Sequence, residues 1–350
     1  SENLVHDIEK DTIFTKSYKA ILPLAFKGGE VNYNMNWYYG PADYKILDKY
    51  EKNLDEVIPL GWGIFGWINR WIFIPVYGFL SQFMAHGIAI IVFTILVRLA
   101  MSPVTYKSYL SQAKMKVLRP EINELNEKFK KDPMKKQQET MKLYGKAGVN
   151  PMAGCLPAVM QIPVFYALFQ FFPSAIELRQ KNFLWAEDLS SFDAVLSWKQ
   201  HIPVISSFYG NHVSLFPILA AIAIFFYMKM TTGDQQMSAP QQEGMPDMGK
   251  IMKIMIYISP LMMMIFFNNN ASGLSLYYFV SNTITIGIML VIKNYIISDE
   301  KIHARIQENK TKDKPKSKFQ QKMADMMEQA QEQQKQNKKS IEEKKANRKR

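Results

Sequence analysis

The sequence of 350 residues contains a single cysteine, Cys155, so no disulfide framework can form within it. Its apolar surroundings mark Cys155 as a small buried hydrophobe. The five histidines (His6, His86, His201, His212 and His303) are scattered, and no two sit at metal-ligand spacing on one helix face. There is no phosphate-binding glycine loop, no nucleophile elbow and no metalloprotease signature. The expectation is therefore a protein that is not an enzyme, with no cofactor and no metal. The chain begins at Ser1 without a signal peptide, so a fragment or processed form is expected. Most informative is the lack of acids within the long apolar runs.

What is present is arranged in blocks. The net charge is +12 and the mean hydropathy is −0.15, averages that would suit a soluble basic protein. Yet the charges and the apolar residues are segregated, as in a membrane protein with polar appendages. Five apolar runs follow one another: Gly87–Tyr106, Met152–Ala175, Val213–Met228, Ile254–Phe267 and Leu274–Ile297. The first is about 30 Å long as a helix, which matches a hydrocarbon core. The third and fourth are shorter, about 24 and 21 Å, which either thins the bilayer locally or reflects imprecise ends and snorkelling of Lys250 and Lys253.

Residues 61–84 are apolar and aromatic, with Trp62, Trp67 and Trp71 among them. They fit a transmembrane helix interrupted by Arg70 and Pro75, or an amphipathic helix lying in the interface. The second is preferred, because the next run begins at once. Residues 1–60 carry ten acids and seven bases, and Val31–Tyr39 alternates like a strand before Gly40-Pro41. This stretch reads as the end of a β-rich domain.

Basic residues set the orientation. Residues 106–147 hold eleven lysines and arginines against five acids, and residues 298–350 hold sixteen against nine. Residues 176–212 hold only three. The two basic regions are expected in the cytoplasm and the amino end outside it. Within 108–147, Met115, Leu118, Ile122, Leu125 and Phe129 form a stripe, so a helical hairpin broken near Lys130–Pro133 is expected. The tail is rich in Lys, Gln and Glu and cannot bury enough surface to fold alone.

Arg98 lies inside the first run. A charge at a helix centre costs about 2.5–3.5 kcal/mol, and such residues usually face a polar cavity or partner. Lys107 is about 13 Å further along the axis, beyond the reach of a simple snorkel. Thr94, Arg98, Ser102 and Thr105 share one face. The last run has a matching stripe in Tyr277 and Ser281, with Tyr278, Asn282 and Thr285 beside them, and Gln161 sits mid-way along the second run. Taken singly, the neutral residues could be ordinary interhelical hydrogen-bond partners. With an arginine that has no acid to neutralise it, they read as the wall of a wet cavity. The 22 methionines suit varied apolar partners, and core filling explains most of them equally well.

These residues resemble the YidC family of membrane protein insertases over about Gly61 to Lys293. The likeness is carried by Val97-Arg98 with Ser102-Pro103, by Val149-Asn150-Pro151 through Pro157, and by Gln161-Ile162-Pro163-Val164-Phe165. It continues through Glu177-Leu178-Arg179, Asp188-Leu189-Ser190, Ser272-Gly273-Leu274 and Leu276-Tyr277-Tyr278 to Val280-Ser281-Asn282. The resemblance implies an all-α integral membrane protein of the cell inner membrane. It would have a five-helix transmembrane core (85–297), an interfacial helix (61–84), a mobile cytoplasmic hairpin (108–147) and a remnant of an extracytoplasmic, periplasmic β domain (1–60). It implies a groove walled by Arg98, Gln161, Tyr277 and Tyr278 that receives membrane protein clients, and partnership with the lipid bilayer, the Sec translocon and the ribosome. The basic cytoplasmic tail (298–350) would contact ribosomal RNA or anionic lipid. The alternative is a small-solute or anion transporter using the same arginine, against which stands the lack of an evident internal repeat.

Overall fold

A computed structural model describes residues 33–232 and 248–311, apart from 131, 155, 201, 204, 205, 207, 208 and 297, together with residues 2, 3, 18, 19, 21, 23 and 28. Two units are distinct, the first Ser1–Pro41 and the second from Ala42 onward. In the first, β1 (Glu2–Asn3) pairs antiparallel with β2 (Tyr18–Lys19). Residues 33–39 are not a strand. Alternation alone does not make one, and among the described residues no second segment pairs with this one to supply ladder hydrogen bonds and cover an aromatic face.

The second unit is helical. It opens with α1 (Tyr44–Asp48), whose N-cap Asp43 accepts a hydrogen bond from the Ile46 amide. A helix of twenty residues follows, as α2 (Ile64–Ile68), one π-turn (Asn69–Phe73) and α3 (Ile74–Phe83). Asn69 is wholly buried at the π-turn, and its amide donates to the Leu60 and Ala167 carbonyls. Phe73, Tyr77 and Leu80 face inward while Trp62, Trp67, Trp71, Phe79 and Phe83 are exposed. One face of this helix is thus covered and the other is open and aromatic.

Next come α4 (His86–Val117), α5 (Arg119–Lys128), α6 (Pro133–Ala147), α7 (Leu156–Ser174), α8 (Leu215–Thr232), α9 (Met248–Phe267), α10 (Ser272–Val291) and α11 (Asp299–Thr311). Among the described residues, α4, α7 and the stretch Ser272–Tyr295 are long and apolar enough to cross a membrane, and Leu215–Thr231 and Lys253–Phe267 are shorter apolar helices. All five fall on the apolar runs of the sequence. The helices α8 and α9 are longer than those runs, but their apolar parts stay short. The chain is a multi-pass membrane protein. Helix α10 is central, packing on α4, α7 and α8, and α9 packs on α8.

One sequence expectation needs correction at the hairpin end. The stripe from Met115 to Phe129 is not one helix. Leu118 ends α4, and Pro120, which has no amide proton and suits a helix's first turn, begins α5. The tail begins with a helix that packs on the hairpin. This helix, α11, buries Ile302 and Ile306 against Met115, Leu118, Ile122, Tyr144, Ala147 and Val149. The end of α4 and both arms of the hairpin supply the apolar surface around it. The rest of the tail lies outside the described residues.

Alternate ends of the spans are built differently. Away from the hairpin, Phe73, Tyr77, Ile90, Phe93, Leu168, Phe171, Phe172, Phe216, Phe267 and Leu274 form a dense aromatic core. Ring pairs such as Phe73–Phe93, 5.2 Å apart and edge to face, are favourable geometry. Gly273 permits a close approach: a Cβ there would lie 2.9 Å from the Phe172 ring and 3.0 Å from the Leu189 carbonyl oxygen. Loops seal this end. The Ser272 amide donates to the Ser191 carbonyl and the Gly273 amide to the Leu189 carbonyl, at 2.6 and 2.9 Å. Asp193 accepts at one carboxylate oxygen from the Trp185 indole and from the Leu215 and Phe216 amides, capping α8 from a distant loop. Asn268 is wholly buried, donates to the Tyr209 and His212 carbonyls, and accepts from the Ser214 amide.

Candidate functional site: a polar face between α4, α7 and α10

One turn inward from that core the side chains change character. Arg98 is half-buried on α4, and its Nε–H donates to the Ser281 hydroxyl on α10. Among the described residues it forms no ion pair. A neutral hydroxyl is thus what faces the guanidinium, and it leaves the charge undischarged. The hydroxyls of Tyr277 and Tyr278 and the Nε2 amide of Gln161 on α7 are buried without a hydrogen-bond partner. The Gln161 side chain lies close enough to interact with both tyrosines. The Tyr277 ring is fixed against Phe93, Phe172 and Tyr278, and the Tyr278 ring against Phe165 and Phe267, so each hydroxyl is carried by a rigid aromatic body.

The other residues of the two stripes behave differently. Thr94 is buried and donates back to the Ile90 carbonyl at 2.6 Å. Asn282 donates to the Tyr278 carbonyl at 2.9 Å and Thr285 to the Ser281 carbonyl at 2.7 Å. These three are satisfied on their own helices, and Thr105 does the same to Met101. Ser102 is half-buried beside them. Of the residues named from sequence, the structure joins Arg98 to Ser281 and groups Gln161 with Tyr277 and Tyr278.

Two residues escaped the sequence reading. Tyr109 on α4 and Tyr227 on α8 both lie within electrostatic reach of Arg98. Tyr109 could have been found, because it extends the Thr94–Arg98–Ser102–Thr105 face by one more helical step. Tyr227 carries no such signal.

Outside the spans, Asp188 receives the Ser190 amide and hydroxyl on one carboxylate oxygen, at 2.8 and 2.7 Å. Partial burial works to raise its pKa, but these bonds, one from the Gln180 backbone and the charge of Arg179 outweigh burial and hold it below the usual carboxylate range.

The family model described as 60Kd inner membrane protein matches residues 78–300, which include Arg98, Gln161 and the Tyr277–Ser281 turn. This chain belongs to that family. It is 43% identical over 319 residues to the membrane protein insertase YidC of Parabacteroides distasonis, covering 88% of this chain and 49% of that one. It is 43% identical over 310 residues to the protein of the same name from Porphyromonas gingivalis, covering 85% and 48%. The chain thus spans about half the length of the curated relatives it matches. A solved structure of an active YidC insertase with its first transmembrane domain resolved aligns over 73% of this chain and 54% of that one, at 25% identity and a TM-score of 0.46.

Proposed function

We propose that this protein is an insertase that moves segments of client membrane proteins into the lipid bilayer along the polar face of α4, α7 and α10. The carrying observation is Arg98, a permanent charge in an apolar span that meets a hydroxyl in place of a carboxylate. A short acidic or polar client segment is the ligand such a charge attracts. Behind the charge, Tyr277, Tyr278 and Gln161 hold buried polar groups that a segment reaches only by parting the helices, with Ser281, Ser102, Thr94, Asn282 and Thr285 along the same faces. The aromatic core and capped loops stand as a floor beyond which the segment passes only by displacement. The client's apolar part then enters lipid, driven by about 25 cal/mol per Å² of surface removed from water. The name carried by the relatives agrees with this reading.

In the same reading the hairpin and tail face the cytoplasm, because the basic residues lie there, and residues 1–60 are the periplasmic side of an inner-membrane protein. The domain limits follow: 61–84 interfacial, 85–297 core, 298–350 tail. The Sec translocon and the ribosome are the partners, the ribosome through the basic hairpin and tail.

The test is an insertion assay in proteoliposomes with a client whose translocated end is acidic. Arg98→Ala should slow insertion about tenfold or more, a loss of at least 1.4 kcal/mol, while Arg98→Lys should retain much of it. Unchanged insertion of every client in the alanine variant rejects the role. Solute flux measured on the same vesicles separates insertion from anion transport.

A further inference from the structure

We propose that α11 is a latch that holds the cytoplasmic hairpin in place, so that the order of α5 and α6 depends on a helix of the tail. Three independent contacts converge. Ile302 and Ile306, one helical turn apart, are 5% and 1% exposed and complete the apolar cluster formed by Leu118, Ile122, Tyr144, Ala147 and Val149. The Lys310 ammonium binds both oxygens of Glu121 on α5, at 2.6 and 2.7 Å. The Asn309 amide reaches the Ala147 carbonyl at the end of α6, beside Gly148, whose φ of +65° terminates that helix.

The energetic asymmetry makes this a latch. The hairpin helices are short: α5 has ten residues and α6 fifteen, both too short for independent stability in water. Their mean composition is polar; α5 and α6 pack on each other, α11 packs on α6 and on α4, and α4 packs on α5. Helix α11 is itself thirteen residues long with only two large apolar side chains. Each part is marginal alone, and the cluster is complete only when they meet. Release of α11 therefore exposes Leu118 and Ile122 and leaves α5 and α6 to fluctuate. The seat is made of residues from both arms and from the end of α4, so one small helix governs the whole hairpin.

The experiment is hydrogen–deuterium exchange of the full chain in nanodiscs, read at amides 119–147. Ile302→Ser with Ile306→Ser should speed exchange there tenfold or more, with the amides of α7 and α10 unchanged. Lys310→Glu should speed it severalfold, and adding Glu121→Lys should return it to within twofold of the parent. If the isoleucine variant loosens the spans as well, the charge pair decides: rescue by Glu121→Lys supports the latch and its failure overturns it. Exchange at 119–147 within twofold of the parent in both Ile302→Ser/Ile306→Ser and Lys310→Glu also overturns it.

Discussion

Replacing Asp193 with alanine should be among the most damaging single changes at the end of the molecule remote from the hairpin. The side chain is 3% exposed, and one of its oxygens takes three donors: the Trp185 indole at 2.8 Å and the Leu215 and Phe216 amides at 3.0 and 2.8 Å. Loss of a helix N-cap costs about 0.5–2 kcal/mol. Trp185 is itself 40% exposed, so its indole can turn to water and adds little. The cost is about 2 kcal/mol, the upper end of the cap range because the Leu215 and Phe216 amides both lose their acceptor, or a fall in Tm of several degrees for a unit of this size. Asp193→Asn keeps an uncharged acceptor and should lose about a third of that. Trp185→Phe removes one donor along with its need and should cost less than the alanine change, despite the ring's stacking on Phe216 at 4.5 Å. Thermal unfolding in detergent, followed by loss of monodisperse protein, ranks the three. Equal shifts for alanine and asparagine, or a shift under about 2 °C for alanine, would refute the reasoning that the three bonds act as one cap.

Gly273→Leu should prevent α10 from seating against Phe172 and Leu189 and lower Tm by several degrees, because overpacking costs about 1–3 kcal/mol; an unshifted Tm would show that the helices can part freely. The depressed pKa of Asp188 has a definite sign: its contribution is present above the unfolded carboxylate value of about 3.9 and is lost as pH falls through the lower folded value. The Tm gap between the parent and Asp188→Asn should accordingly be constant above about pH 5 and shrink below about pH 4, and a gap that widens on acidification would reverse the assignment.

The sequence displays what depends on chain-local chemistry. Apolar runs long enough to span, the arginine inside one of them and the break at Lys130–Pro133 are properties of consecutive residues, and each is found where expected. Contacts across the chain are another matter. Ile302 and Ile306 sit in a strongly polar stretch, and their seat lies some 150 residues away. Asp193 looks like any loop acid until Leu215 is brought to it. Thr94, Asn282 and Thr285 carry the helical spacing of a groove wall, but hydroxyls and amides can satisfy themselves on the preceding turn, and periodicity does not distinguish the two outcomes. The alternation at residues 33–39 is legible as a pattern and misleading as a structure, since a strand is a property of pairs.

Arg98 and Met115, the residue that α4 contributes to the apolar seat of the hairpin, lie on one helix. Its thirty-two residues make a rod about 48 Å long. A rod of that length turns small rotations into large displacements: a tilt of about 10° about its outer end carries Val117 about 8 Å sideways. Pro103 lies between the guanidinium and the seat, at the one point where the helix gives up a backbone hydrogen bond. The freedom to bend at that residue bears on how much of any motion at Met115 reaches Arg98.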